Sequence, residues 1–151
     1  MKKQRKLLIK KLQEFLRHQD YGQIGNNVLY EMCQKYPNHN DKAEIIGKVW
    51  FIGRSYAASI ERNRKRDKNV SDYFYNNIVA PKFIENNFDD LLLNLRKLSV
   101  LNLYNVPIVL ETHKKIIDFI KQITGDDKRS FVSKYLHFHF PSLFYIYDSY
   151  S

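Results

Sequence analysis

A chain of 151 residues with 25 Lys and Arg against 16 Asp and Glu, and a pI near 9.5, can bury one real core and favours a polyanionic partner, nucleic acid first. Apolar residues at 44% and aromatics at 15% exclude an intrinsically disordered chain, and no apolar run approaches the roughly 20 residues of a membrane span. The single cysteine, Cys33, excludes an internal disulfide and a cysteine-rich metal site, and it reads as a small buried apolar residue.

The first element is a helix over residues 2–18, with Leu8, Leu12, Phe15 and Leu16 on one stripe. Its apolar positions are interrupted by Lys10, Lys11, Gln13 and Glu14, and no small-residue cleavage site follows. It is therefore not a signal peptide, and a cytoplasmic location is expected. The glycines and asparagines of "DYGQIGNN" (20–27) predict a loop, and 28–36 a short helix ended by Pro37. Asp41 is placed to cap a long helix near 42–65, with Ile45, Val49, Ile52, Tyr56 and Ile60 at helical spacing.

Ser71 could cap a helix over 72–79, and Pro81 then starts or kinks the next piece. Residues 88–98 carry Leu91, Leu92, Leu95 and Leu98 on a helical stripe. Pro107 suits the first turn of a helix over 107–123, and Gly125 suits its C-terminal stop. A last helix covers 128–138, Pro141 prevents its continuation, and an irregular aromatic tail follows. The expected fold is a single all-α domain of seven or eight helices.

Positive charge concentrates twice. The N-terminal helix carries Lys2, Lys3, Arg5, Lys6, Lys10 and Lys11, and "GRSYAASIERNRKRDK" (53–68) carries Arg54, Arg62, Arg64 and Lys65. A basic helix end complements the helix dipole, and the same cations can contact a phosphate backbone. His137 and His139 would share a face on a strand but point apart on a helix, so no metal site is expected, and no cofactor.

The segment "DFIKQITGDDKRSFVSKYLHFHFPSLFYIYDSYS" places a turn at Gly125 between two helices and an aspartate, Asp148, nineteen residues beyond Arg129. In this it resembles the helix-hairpin-helix DNA glycosylases, the 8-oxoguanine glycosylase branch in particular, as a divergent bacterial member. The resemblance covers roughly residues 107–148. It implies a glycosylase-like helical array, a phosphate held at the hairpin by Lys128 and Arg129, and Asp148 as the catalytic carboxylate near an extruded nucleotide. Around that nucleotide Lys134 would add a phosphate contact, and Tyr56, His137 and Tyr147 would line the pocket. Thr124 and Asp127 replace the hairpin's proline and second glycine, and Arg129 occupies its lysine position. An arginine cannot form a Schiff base, so any activity implied is base excision without strand cleavage. The implied partner is DNA rather than RNA. A non-catalytic nucleic-acid-binding module is the alternative, as is a protein-interaction domain that meets a second copy or another protein through the aromatic C-terminal segment.

Overall fold

The computed structural model describes residues 9–10, 23–61 and 73–146; among these there is no strand. Six helical segments stand among the described residues: α1 (23–35), α2 (Lys42–Ser55), α3 (a π turn, Tyr75–Val79, running into Ala80–Glu85), α4 (Phe88–Arg96), α5 (Val106–Thr124) and α6 (Arg129–His139). The all-α class is as expected, and one apolar core threads every segment from Leu29 to Phe144. Of the expected helix over 2–18, Ile9 and Lys10 are described and helical; the remainder lies outside the described residues, as does Ser71. No described helix is long and apolar enough to cross a membrane.

α6 is the central element. Phe131, Val132, Tyr135, Leu136 and Phe138 are all buried, against α2 on one side and α5 on the other. α5 buries Ile116, Phe119, Ile120 and Ile123, with Phe119 packed on Phe83 and Phe88; it ends on Gly125 at φ 82°, and so turns sharply into α6. Burial of Cys33 in α1 matches its expected apolar role.

Three boundaries differ from the sequence expectation. α1 begins by residue 23, inside the expected loop over 20–27. A Gln23 to Asn27 side-chain hydrogen bond of 2.9 Å supports that first turn, one helical step apart.

α2 starts where expected, with Asp41 Oδ1 accepting the Glu44 N–H at 3.0 Å, but it ends at Ser55 rather than near 65. Ala58 N donates to Gly53 O at 2.7 Å and Ala57 N to Arg54 O at 3.2 Å, the paired bonds of a Schellman stop. The residue at its left-handed position is Ala57, at φ 51°. Gly53 permits the turn: a Cβ there would lie 3.1 Å from Ser59 Cα, so the strap over 57–61 folds back onto α2 only past a glycine. Its return buries Ile60 off the helix rather than along it.

An L-residue in the left-handed region costs roughly 1–2 kcal/mol, partly offset by the unfolded-state entropy a glycine adds. Ala57→Gly should therefore stabilise the protein by about 0.5–1 kcal/mol and raise the melting temperature by about 1–4 °C. An unchanged or lower melting temperature in a thermal scan would show that Ala57 is not strained.

The third difference is the π turn ahead of Pro81; Pro81 itself stands in the first turn of the α-helical Ala80–Glu85, as expected. The chain widens into a π turn immediately before it, with Ala80 N donating to Tyr75 O. That five-residue spacing makes room for a ring that carries no N–H and crowds the carbonyl four residues back.

Candidate nucleic-acid interface

Among the described residues a connected group of titratable side chains lies inside the protein, one that the sequence motifs do not point to. His39, in the connection from α1 to α2, has its Nδ1 2.9 Å from Asp89 Oδ1 on α4, and its backbone N–H donates to Asp89 Oδ2 at 2.8 Å. Arg96 Nη2 donates to the same Asp89 Oδ1 at 2.6 Å. With Nδ1–H committed to the carboxylate, His39 Nε2 is the acceptor, and two donors face it: Tyr135 Oη at 2.6 Å and Lys48 Nζ at 3.2 Å. Lys48 Nζ also donates to the carbonyls of Tyr36 and Asn38, at 2.7 and 2.9 Å, which closes the C-terminal end of α1.

Burial brings His39 down to about 4, only partly countered by Asp89, and brings Lys48 down to about 8. Burial works to raise Asp89, but the hydrogen bonds from His39 and the Arg96 charge outweigh it and hold that carboxyl well below the usual carboxylate range. Burial also pushes the Cys33 thiol up to about 12. An Asp–His–Tyr chain of this kind can move a proton in principle. Here His39, Lys48 and Tyr135 are exposed by only 2%, 0% and 1%, and their hydrogen bonds clamp α1, α2, α4 and α6 together. The signal for it was present in the sequence: Lys48 lies on the apolar stripe of α2 among Ile45, Val49 and Ile52, where a solvated lysine does not belong.

The residues expected to carry function fall into three groups. Asp148, Tyr147, Arg62, Arg64 and Lys65 lie outside the described residues. Lys128 and Arg129 begin α6 beside the Gly125 turn and face its acids, Lys128 with Asp126 at 3.4 Å and Arg129 with Asp127 at 3.8 Å. Those acids draw the two cations that a hairpin phosphate contact would need.

Of Arg54, Tyr56, Lys134 and His137, Tyr56 and Lys134 meet at the end of α2 over α6, His137 neighbours them through Phe138, and Arg54 stands on the last turn of α2 with other partners. Arg54 is half-exposed, lies 4.9 Å from the Trp50 ring, and pairs with Glu61 at 2.7 Å; Glu61 in turn accepts from the Tyr75 hydroxyl. Lys134 is not a surface cation. It is 1% exposed, donates to Ser130 Oγ at 2.7 Å, and holds its ammonium 5.8 Å from the centre of the Tyr56 ring. It occupies the stripe of Phe131, Tyr135 and Phe138, so its stem packs with the core. His137 has both ring nitrogens engaged, Nδ1 2.7 Å from Phe144 O and Nε2 2.5 Å from Tyr30 Oη.

Tyr56 closes this arrangement onto α1. Its hydroxyl donates to Asn26 Oδ1 at 2.5 Å, and its ring and that of Tyr30 both pack on Phe138. Between α1 and α2 this leaves an open groove of about 720 Å³, walled mainly by Val28, Met32 and Phe51, with Asn26, Ser55 and Tyr56 at one end. No three His, Cys, Asp or Glu side chains among the described residues are grouped to hold a metal ion. No protein-family model matches this chain, and comparison with curated proteins and with solved structures gives no match.

Proposed function

We propose that this protein binds nucleic acid, along the surface where the start of α1 meets the end of α2. The supporting observation is how charge is distributed about that meeting point. Residues 1–22 hold seven Lys and Arg against two acids, and residues 62–72 hold five against two. Residues 23–61 and 73–146 together hold thirteen against eleven, so nearly all of the +9 belongs to those two segments. One segment enters α1 at Gln23 and the other leaves after Glu61. The Tyr56–Asn26 hydrogen bond ties the start of α1 to the end of α2, and the Arg54–Glu61 pair ties the strap before residue 62 to the same end of α2. A near-neutral helical body whose excess positive charge is carried by two short stretches of sequence suits a phosphate backbone, which is recognised by summed charge. Asp148, on which a base-excision activity would turn, lies outside the described residues, and the reading proposed is one of binding.

Fluorescence anisotropy with a labelled oligonucleotide of random sequence, titrated with KCl, tests it. Neutralising about five phosphates gives a slope near −4 in log affinity against log salt. Alanine at Arg62, Arg64 and Lys65 together should make that slope shallower by about 2–3. Absence of binding at low ionic strength, or binding indifferent to salt, would refute the proposal.

A further inference from the structure

We infer that the groove between α1 and α2 takes an unpaired base, which makes the protein selective for single-stranded over duplex nucleic acid. This rests on the nucleic-acid reading above and specifies the form of its ligand. Phe51 stands about half-exposed on the α2 wall of the groove, a large aromatic face in water with Val28 opposite it on α1, itself 59% exposed. A paired base keeps its faces stacked within the duplex; only an unpaired one can lay a face on such a ring.

The groove's size, about 720 Å³, is within the roughly 300–1,000 Å³ of sites that enclose a group of small-molecule size. Its polar groups gather at one end. Asn26 uses its Oδ1 on Tyr56 and so turns its amide donors elsewhere, and the Ser55 hydroxyl is alongside. These can meet the polar edge of a base whose faces lie between apolar walls. Next to Ser55 along α2, outside the groove lining, is a cation for the accompanying phosphate. Arg54, one residue before Ser55, is steadied by the Trp50 ring and by Glu61, which uses only part of a five-donor guanidinium. Trp50 and Phe51 meet edge to face at 5.0 Å, so the stacking face and the cation's support form one rigid unit on α2.

The test compares labelled oligothymidine, oligouridine and a mixed-sequence duplex of equal length by anisotropy at one salt concentration, using the full chain. Wild type should bind a single strand more tightly than duplex, with the tighter of the two single strands identifying DNA or RNA. Phe51→Ala should weaken single-strand binding by roughly 5- to 100-fold, the range expected for one lost stacking contact, while duplex affinity stays within about twofold. Phe51→Trp, which keeps an aromatic face, should retain single-strand binding, and thermal melts of both variants should match wild type because Phe51 is outside the core. Equal affinity for single strand and duplex, or an unchanged single-strand affinity in Phe51→Ala, overturns the groove assignment and leaves charge-driven binding standing. Failure to bind any of the three at low salt removes the nucleic-acid reading and the groove assignment together.

Discussion

His39→Ala is expected to lower the unfolding free energy by about 3–5 kcal/mol, measured by urea denaturation near pH 7.5. The substitution acts at three places. Asp89 loses its Nδ1–H donor and keeps Arg96 and the residue-39 backbone N–H, an incomplete set for a carboxylate largely withdrawn from water. Tyr135 and Lys48, both fully buried, lose the acceptor at Nε2 that they share. A space the size of an imidazole opens among Phe83, Phe88, Tyr135 and His139, whose ring centres lie 4.7–5.9 Å from that of His39. Against a total stability of about 5–15 kcal/mol for a domain, such a loss leaves little margin. His39→Gln, which keeps a polar side chain able to reach Asp89, should recover part of it. A loss under about 1 kcal/mol for the alanine variant would mean that the cluster is hydrated and does not clamp the helices.

The sequence made some of these elements readable and hid others, and local chemistry accounts for the division. Asp41, Pro107, Gly125 and Pro141 each act within one helical turn, and the helix limits beside them agree with expectation to within about two residues. The end of α2 depends on Ala57 taking a glycine's conformation, held there by packing at Gly53, so no residue near 56 announces a stop. The π turn before Pro81 is likewise an accommodation that no propensity predicts. The buried clamp joins positions 39, 48, 89, 96 and 135, too far apart in sequence for spacing to relate them. Lys48 and Lys134 were the visible clues, two cations on apolar stripes, and reading Lys134 as a surface contact missed what its position implied. The groove beside Tyr56 depends on α1 beginning by residue 23, inside the stretch whose glycines and asparagines predict a loop.

The same clamp makes stability rise with pH through the mildly acidic range. His39 titrates near about 4 in the folded protein and near 6.5 when exposed, so between those values the unfolded chain holds a proton that the folded one excludes. Acid therefore favours unfolding there. The His39 contribution is complete above about pH 6.5 and lost as pH falls towards 4, a change of roughly 3 kcal/mol. His139 adds to it in the same direction: burial lowers it well below an ordinary histidine, and its buried Nε2 has no hydrogen-bond partner to hold a proton in place. Asp89, held low, loses its contribution only in stronger acid, below the ordinary carboxylate range. On the alkaline side two groups oppose each other. Lys48, lowered to about 8, sheds its proton before an unfolded lysine does and so favours folding as pH rises past 8. Cys33, raised to about 12, keeps a proton that an unfolded thiol gives up near 9 and favours unfolding. Stability should thus climb steeply from about pH 4 to 6.5 and level off near pH 8–9, as followed by urea midpoints across pH 4–10. His139→Phe, which removes the second lowered imidazole and its orphaned, buried Nε2, should make the acid limb shallower. Equal midpoints at pH 7.5 and pH 4.5 in the wild type would show that neither imidazole is kept unprotonated by burial.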